Sequence, residues 1–222
     1  MGHSHDGGRF LSRKAARAEF LGAALKPAQM PPEGTPEVAF AGRSNVGKSS
    51  LINTITGIKI AHISAVPGKT RTINFYAVGK LRLVDLPGYG YAAVPHAMRR
   101  LWQPAVEEYL AHRKTLRGVL LVVDARRGLQ DEEHDLLAWL IHHGLPHAVV
   151  LTKTDKLKAG ALAKARQEVA AGIAAEPVIF SARTGSGREI VWKVIRQLAQ
   201  GGPEAEEAGE VDGDDDGGSV SE

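Results

Sequence analysis

The chain has 222 residues, of which 43% are hydrophobic and 24% charged, a composition typical of one globular domain with a sizeable core. It contains no cysteine, which excludes disulfides, thiolate metal sites and a cysteine nucleophile and fits a reducing cytoplasm. The net charge of +3 is uneven, because residues 201–222 hold nine acidic and no basic side chains, leaving 28 basic against 16 acidic in the first 200. A body of charge +12 suggests a phosphate-rich partner such as RNA; the alternative is a solvated surface that is merely basic.

Residues 1–35 differ in composition from the rest of the chain. Residues 1–11 are rich in Gly and His and are predicted to be mobile, whereas residues 12–25 favour a short basic helix. Four prolines between residues 27 and 36 favour an extended link into the domain. No secretory signal is visible and no apolar run is long enough to cross a bilayer, so we expect a cytoplasmic protein without stable membrane association.

Strand-like and helical patterns alternate over residues 36–200, which are expected to form the single folded domain. Apolar runs predict strands near 37–41, 72–78, 80–85, 117–123, 147–151 and 176–180. Helical periodicity predicts helices near 48–56, 97–113, 131–143, 159–172 and 188–199. Such alternation predicts an α/β fold, a mainly parallel sheet with helices on both faces. The second and third strands are separated by a short turn, so we expect a hairpin with one antiparallel strand at the sheet edge.

Residues 201–222 form the acidic tail. This segment has too few apolar side chains to bury a surface and is expected to be disordered.

A phosphate-binding loop follows the first predicted strand of the domain. The segment GRSNVGKS, from Gly42 to Ser49, matches G-x-x-x-x-G-K-[ST] in every fixed position, with a strand-like run before it and an amphipathic stretch after it. Its glycines permit a tight turn whose backbone N–H groups face phosphate oxygens. Lys48 is placed to reach the β- and γ-phosphates and the Ser49 hydroxyl to ligate magnesium. The sequence therefore predicts a nucleotide site.

A second motif, Asp85-Leu86-Pro87-Gly88, ends a predicted strand 37 residues after Lys48. A carboxylate at this strand terminus supports the magnesium shell, and Gly88 lets the next backbone N–H approach a γ-phosphate. Between the two motifs lies the segment 66–72, in which a switch requires a hydroxyl that joins magnesium only with GTP. Thr70 is the first choice for that hydroxyl and Thr72 the reserve.

Two further loops select the base. Thr152-Lys153-Thr154-Asp155 follows an apolar run and matches the pattern N/T-K-x-D. A carboxylate at Asp155 accepts hydrogen bonds from N1–H and the exocyclic amine of guanine, donors that adenine lacks in that arrangement, and Lys153 ties the loop to the phosphate cradle. Phe180-Ser181-Ala182 matches the loop whose backbone N–H meets the guanine O6. The predicted ligands are GTP and GDP, not ATP.

The set GRSNVGKSS, PGKT, DLPGYGYA, TKTD and FSA resembles the EngB (YihA/YsxC) family of bacterial GTP-binding proteins, of the TrmE/Era-like GTPase class, over residues 15–200. The resemblance implies a Ras-like P-loop GTPase domain with a six-stranded sheet. It also implies a switch in large ribosomal subunit assembly that is required for normal cell division and septation. The implied partner is the large subunit or its precursor, through rRNA and not DNA, and the protein is expected to be a monomer.

The resemblance also implies the site residues. Magnesium would be the cofactor, ligated by Ser49 and Thr70. Catalysis would rest on Lys48, Thr70, Asp85 and Gly88. The residues placed at the nucleotide are Gly42, Arg43, Ser44, Asn45, Val46, Gly47, Lys48, Ser49, Gly68, Lys69, Thr70, Arg71, Thr72, Asp85, Leu86, Pro87, Gly88, Thr152, Lys153, Thr154, Asp155, Phe180, Ser181 and Ala182.

Three positions bear on how this site would work. Thr152 stands where most GTPases have Asn, so one hydrogen bond to the cradle is expected to differ. Tyr89 stands where many have a water-orienting glutamine, so intrinsic hydrolysis is expected to be slow. Asn45 resembles the residue that helps bind K⁺ in potassium-stimulated GTPases; the alternative is a loop-stabilising Asn.

Two other functions fit parts of the sequence. A GTP-dependent protein-interaction module acting at the division septum would use the amphipathic helices and the acidic tail as its surfaces. A GTPase domain of a tRNA-modifying enzyme would require an attached catalytic domain, which these 222 residues do not contain.

Overall fold

A computed structural model describes residues 18–61, 72–89 and 96–201, with backbone alone for residues 96–103. The predictions made for residues 1–17 and for the acidic tail from residue 202 onward lie outside the described residues. The same holds for Gly68, Lys69, Thr70 and Arg71 in the predicted switch segment.

Strands and helices alternate along the described chain. The strands are β1 (Ala18–Ala24), β2 (Glu37–Ala41), β3 (Ile73–Val78), β4 (Leu81–Asp85), β5 (Leu116–Asp124), β6 (His147–Thr152) and β7 (Val178–Ile179). The helices are α1 (Lys48–Thr56), α2 (His96–His112), α3 (Asp131–His142), α4 (Ala159–Ile173) and α5 (Arg188–Ala199). Single 3-10 turns occur at Pro27–Gln29 and Thr154–Lys156. Every strand and helix predicted between residues 36 and 200 is present.

The seven strands form one sheet in the order β1-β3-β4-β2-β5-β6-β7. The central strand β2 pairs in parallel with β4 and β5, and β6 and β7 continue the parallel half. Only β3 runs in the opposite direction, antiparallel to both β4 and β1. The mainly parallel α/β fold is therefore confirmed, with seven strands instead of six. The antiparallel strand lies one position in from the edge, because β1 covers it.

Strand β1 corrects the prediction of a short basic helix over residues 12–25, at least for the part that is described. Residues Ala18 to Ala24 pair along the whole of β3, with a register shift between Phe20 and Gly22. Phe20 also packs on Tyr76, with ring centroids 5.7 Å apart. Local composition favoured a helix, but backbone hydrogen bonds to an otherwise open sheet edge and the burial of alanines at both strand ends override it.

Helices cover both faces of the sheet, as the alternation predicts. On one face α1 and α5 bury Leu51, Ile55 and Ile195 against the strands. On the other, α2, α3 and α4 bury Tyr109, Leu140 and other apolar side chains. Because both faces are covered, the central parallel strands are continuous apolar runs without polar alternation. Within the described residues no helix combines the length and hydropathy needed to cross a membrane.

A buried ion cluster closes the end of the sheet where the parallel strands begin. Glu37, the first residue of β2, is fully buried and accepts hydrogen bonds from Arg113 at 2.7 and 3.1 Å and from Arg82 at 3.1 Å. The Tyr109 hydroxyl adds a fourth at 3.1 Å, and burial, reinforced by the charge of Glu37, raises the pKa of Tyr109 well above its usual range. Both arginines also donate to backbone carbonyls of the proline-rich link, at Pro31 and Pro32, and so fix the link to the domain.

Candidate nucleotide-binding site

The predicted motifs lie together at the carboxyl end of the parallel strands, the edge at which α/β sheets bind ligands. The phosphate loop follows β2, and the Asp85 motif ends β4, which pairs with β2. The base-selecting motifs follow β6 and β7 on the other half of the sheet. Parallel pairing is the reason that four segments distant in sequence reach one edge.

The phosphate loop runs tightly from β2 into α1. A Cβ added at Gly42 would lie 2.5 Å from the carbonyl oxygen of Val122, so only glycine fits there. Gly47 adopts a left-handed conformation, with φ of +106°, directly before Lys48 begins α1. The loop thus delivers a helix N-terminus, with its free backbone N–H groups, to this edge of the sheet.

Lys48, Ser49 and Asp85 form the charged centre of the site. Lys48 Nζ makes an ion pair with Asp85 Oδ1, and the two side chains are only 7% and 2% exposed. Ser49 Oγ lies 3.5 Å from Asp85 Oδ2, so a hydroxyl and a carboxylate oxygen stand side by side next to the phosphate loop. Oxygen donors of these types are the ligands that Mg²⁺ prefers, and the described part of the predicted magnesium site therefore fits that ion.

The Asp85 motif lies directly on the phosphate loop. The Ser44 N–H donates to the carbonyl oxygen of Tyr89 at 2.9 Å, and Ser44 Oγ lies 3.4 Å from that of Gly88. A Cβ at Gly88 would come within 3.0 Å of the Ser44 backbone nitrogen, so glycine permits this approach. Leu86, the second residue of the Asp85 motif, is buried and donates its N–H to the carbonyl oxygen of Phe40 in β2.

The side chain of Tyr89 packs against the core on the face covered by α2, α3 and α4. Its hydroxyl is buried beside the carboxylate of Glu133. Burial, and then the negative charge of Glu133, raises the pKa of Tyr89 far above its usual value. Glu133 itself caps the start of α3 by accepting the Gln130 N–H at 3.0 Å, and its burial raises its pKa. A neighbouring ion pair, Arg43 with Glu132 at 2.7 Å, links the phosphate loop to the same helix.

The first base-selecting loop is tied to the phosphate loop twice. Thr152 Oγ1 donates to the carbonyl oxygen of Val46 and lies 3.1 Å from that of Val123, so threonine in place of the usual Asn still makes a bond to the cradle. Lys153, which adopts a left-handed φ of +56°, contacts the carbonyl oxygen of Asn45 through Nζ.

Asp155 is held by the second base-selecting loop. Ser181 Oγ donates to Asp155 Oδ1 at 2.7 Å, and this hydrogen bond is the main cause that lowers the pKa of Asp155. Asp155 Oδ2 has no hydrogen-bond partner within the described residues, although Arg183 lies 3.8 Å away. Thr154 Oγ1 donates to the carbonyl oxygen of Phe180 at 3.0 Å and joins the two loops. An ionised carboxylate with one oxygen anchored and the other without a hydrogen bond suits N–H donors of a base.

Asp124 also lies at this edge, although no motif in the sequence predicts it. It ends β5 and is buried. Its carboxylate accepts hydrogen bonds from Arg126 at 2.7 and 2.9 Å and forms an ion pair with Lys153 Nζ at 3.0 Å. Burial alone raises the pKa of Asp124, but these donors outweigh it and lower the pKa to about 2. The sequence signal is an acid directly after a long apolar run, a feature shared with Asp85, but Asp124 lacks the motif and the fixed spacing from Lys48 that predict Asp85.

The described site residues thus gather at one edge, from Gly42 to Ser49, Asp85 to Gly88, Thr152 to Asp155, and Phe180 to Ala182. Thr72, the reserve choice for the switch hydroxyl, lies just before β3, and its Oγ1 donates to Asn74 Oδ1 at 2.9 Å. Thr70 lies outside the described residues.

Comparison with known families gives one match that spans the centre of the chain. The family described as "50S ribosome-binding GTPase" matches residues 37–153, from β2 to the first base-selecting loop. This range contains the phosphate loop, the Asp85 motif and Asp124.

Individual relatives extend the similarity to most of the chain. "Probable GTP-binding protein EngB" of Solibacter usitatus is 48% identical over 190 residues, covering 83% of this chain and 97% of that protein. The protein of the same name from Geobacter metallireducens is 47% identical over 203 residues, 89% of this chain and all of that protein. Among solved structures, "Crystal structure of a probable GTP-binding protein engB" aligns with a TM-score of 0.62 at 26% identity, covering 74% of this chain and 98% of that one.

Proposed function

This chain belongs to the EngB family of GTP-binding proteins, and we propose that it is a slow, magnesium-dependent GTPase that acts as a switch in assembly of the large ribosomal subunit. Normal cell division and septation would then depend on it through ribosome supply. The observation that carries the proposal is one sheet edge that holds both a phosphate centre, Lys48 with Asp85, and a base-selecting carboxylate, Asp155, one oxygen of which has no hydrogen bond within the described residues.

The phosphate centre has the groups that a GTPase requires. Lys48 exchanges part of its contact with Asp85 for the β- and γ-phosphates, while the loop N–H groups hold the phosphate chain. Ser49 and Thr70 would hold Mg²⁺, with Asp85 supporting its shell, and the bound ion would supply positive charge that stabilises the phosphates during hydrolysis. The contact of Ser44 with Gly88 and Tyr89 links the Asp85 motif to any change at the γ-phosphate.

Slow hydrolysis follows from the placement of Tyr89. Its partly buried side chain packs against the core cluster and lies beside Glu133 of α3, and a phenol there would not orient an attacking water as a glutamine would. Asn45, exposed and in a left-handed conformation with φ of +66° in the phosphate loop, would then hold K⁺, which would supply further positive charge to the phosphates. Single-turnover hydrolysis in KCl against NaCl at equal ionic strength tests this assistance. We expect faster turnover in KCl, and equal rates would refute the role of Asn45.

A ribosomal RNA partner is supported by charge and by family. The first 200 residues carry a net charge of +12, and the matching family is described as ribosome-binding. Affinity that begins with phosphate neutralisation falls steeply with salt. In this account the protein works in the cytoplasm as a monomer.

A second candidate, a GTP-dependent protein-interaction module at the division septum, is favoured by the edge strand. Phe20, Leu21 and Leu25 are 50%, 41% and 43% exposed along β1 and just after it, and an apolar sheet edge is a typical site of protein contact. Binding to a protein partner through this edge would be apolar and therefore only weakly dependent on salt.

Co-sedimentation with purified large subunits and their precursors separates the two candidates. Binding of the protein to these particles is measured with GDP and with a non-hydrolysable GTP analogue, over a salt series. The Lys48→Ala variant, which should not bind nucleotide, is the control. The assembly switch requires binding that is favoured by the GTP analogue, lost with rising salt and insensitive to nucleotide in Lys48→Ala. Equal binding of the wild-type protein with GDP and with the GTP analogue would refute the assembly switch.

A further inference from the structure

Exposed cations line the end of the sheet opposite the nucleotide site. We define the basic rim as Lys80, Lys114, Arg117 and Arg196, all exposed. Within the described ranges, none of these four side chains takes part in an ion pair or a hydrogen bond. The rim is therefore a surface of positive charge with no partner in the part of the chain that the structure shows.

Strand register brings the rim residues together. Glu37 of β2 pairs with Arg82 on one side and with Leu116 on the other. Lys80 lies two residues before Arg82, directly before β4. Lys114 and Arg117 lie two residues before and one residue after Leu116, the first residue of β5. The three cations therefore lie at the starts of the two strands that flank Glu37 of β2. Because neighbouring strands lie about 4.8 Å apart, the strands β4 and β5 run about 10 Å apart on either side of β2 at this level.

The last turn of α5 adds Arg196 to the same end. A Cβ added at Gly118 in β5 would lie 2.9 Å from Leu198 Cδ2, so the end of α5 packs directly on the start of β5. Acidic groups lie close to the rim, but within the described residues they pair with none of its four side chains. Glu37 is enclosed by two arginines, while Glu33 lies 3.9 Å from Arg113 and accepts the backbone N–H of Lys114 at 3.3 Å.

The acidic tail follows directly on the end of α5, beside this rim. Gly201 closes the last turn of α5 by donating its N–H to Leu198 at 3.0 Å, and residues 202–222 continue from there. These residues carry nine carboxylates and no Lys or Arg. A linker of that length with random-coil dimensions would span roughly 25 Å, and tethering would give a local concentration on the order of millimolar.

We propose that residues 202–222 dock on the basic rim of their own chain and compete there with polyanionic partners. The contact is electrostatic, so it weakens with salt and gives way to a ligand of higher phosphate density. The contact itself does not depend on the nucleotide switch. Only the identity of the competing polyanion rests on the proposed function.

Zero-length carbodiimide cross-linking of the full chain locates the segment. At low salt we expect cross-links from carboxylates of residues 202–222 to Lys80 and Lys114 within the monomer, lost at about 0.5 M salt, where the Debye length is roughly 4 Å. Lys158, which precedes α4 at the nucleotide end of the sheet, serves as the control lysine. Cross-links equally frequent at Lys158, or found only between two chains, would overturn the proposal.

Affinity for fluorescein-labelled oligo(U) of twenty nucleotides measures the competition. One full-length variant converts all nine acids of the segment to amides; a second adds Lys80→Gln, Lys114→Gln and Arg117→Gln. A matched control adds Arg127→Gln, Lys158→Gln and Lys164→Gln instead, three exposed cations outside the rim.

We expect neutralising the segment to tighten oligo(U) binding on the order of tenfold at low salt. The rim substitutions should remove most of that gain and the control substitutions should keep it. An unchanged affinity after neutralisation would overturn the proposal, and so would equal losses in the rim and control variants, since the segment would then act by net charge alone. Because oligo(U) binding is measured without nucleotide or ribosomes, failure here leaves the GTPase switch untouched, and the reverse also holds.

Discussion

The two ends of this sheet both bury a carboxylate among cations, yet they do so in different ways. At the end where the strands begin, Glu37 is fully buried and saturated by two arginines and a tyrosine. At the carboxyl end, Asp85 meets one lysine and a serine hydroxyl at 3.5 Å, and one oxygen of Asp155 has no hydrogen bond in the described part of the chain. Saturated charges hold a fold together, whereas charges with spare capacity exchange their partners for a ligand.

The difference teaches how to separate function from stability in such clusters. A saturated cluster has no group left to bind anything, so its loss changes the free energy of unfolding. The loss of an unsaturated cluster should change the affinity for a ligand more than it changes the free energy of unfolding. Substitutions at the two ends of the sheet test that division.

Removing the charge of Glu37 should have the largest effect on stability. In Glu37→Gln two buried guanidiniums lose their carboxylate, and we expect the free energy of unfolding to fall by about 3–5 kcal/mol. Denaturant titration measures the loss, and GTP affinity of the folded protein should stay unchanged. Glu176→Gln, which breaks an exposed pair with Arg166, is the control and should cost about 0–1 kcal/mol. A loss for Glu37→Gln no larger than that would contradict saturation.

Lys48→Ala should act on affinity instead. The variant removes the lysine proposed to bind the phosphates, and we expect GTP binding to weaken by about 2–5 kcal/mol, measured by titration with a fluorescent GTP analogue. Lys158→Ala, an exposed lysine before α4, should bind GTP as the wild type does. If Lys48→Ala bound GTP within twofold of the wild type, the phosphate centre would be misassigned.

Low pH should lower the stability of the protein, because Asp124 at the carboxyl end of the parallel strands becomes protonated. Its pKa is about 2, below the value of about 3.9 expected in an unfolded chain, so its stabilisation is complete above pH 4 and is lost as the pH falls from 4 to 2. Allowing for the half-exposed Arg126, the contribution is about 1–2 kcal/mol. The stability difference between wild type and Asp124→Asn should therefore narrow below pH 4. A difference that stays constant down to pH 2.5 would show that Asp124 does not titrate in this way.

Thr152→Val should have the smallest effect. It removes the hydroxyl that donates to Val46 and leaves that cradle carbonyl without the bond, for which we expect a loss of about 1 kcal/mol in stability and a slight loss in GTP affinity. Thr152→Ser keeps the hydroxyl and should behave almost as the wild type. Equal losses in both variants would assign the effect to packing instead of the hydrogen bond.

The sequence alone predicted most of the fold because alternating apolar runs and helical periodicity are local signals. Strand β1 escaped prediction, since its pairing with β3 is a contact between distant segments that composition does not reveal. The phosphate and base motifs were identifiable because fixed spacing defines them. Asp124 was missed because its role depends on Lys153, which reaches it only after β5 and β6 pair. Likewise, no pattern shows that Tyr89 packs against the core beside Glu133.

The measurement that tests the central claim most directly is nucleotide titration of the wild-type protein and of Asp155→Asn, in the presence of Mg²⁺. We expect the wild type to bind GTP on the order of 100-fold or more tighter than ATP, because only guanine offers two N–H donors to Asp155. An amide presents a donor where the carboxylate accepted, so Asp155→Asn should lose GTP and gain xanthosine triphosphate, whose base has a carbonyl at that position. Equal affinity of the wild type for GTP and ATP, or unaltered preference in Asp155→Asn, would contradict the assignment of this edge as a guanine nucleotide site.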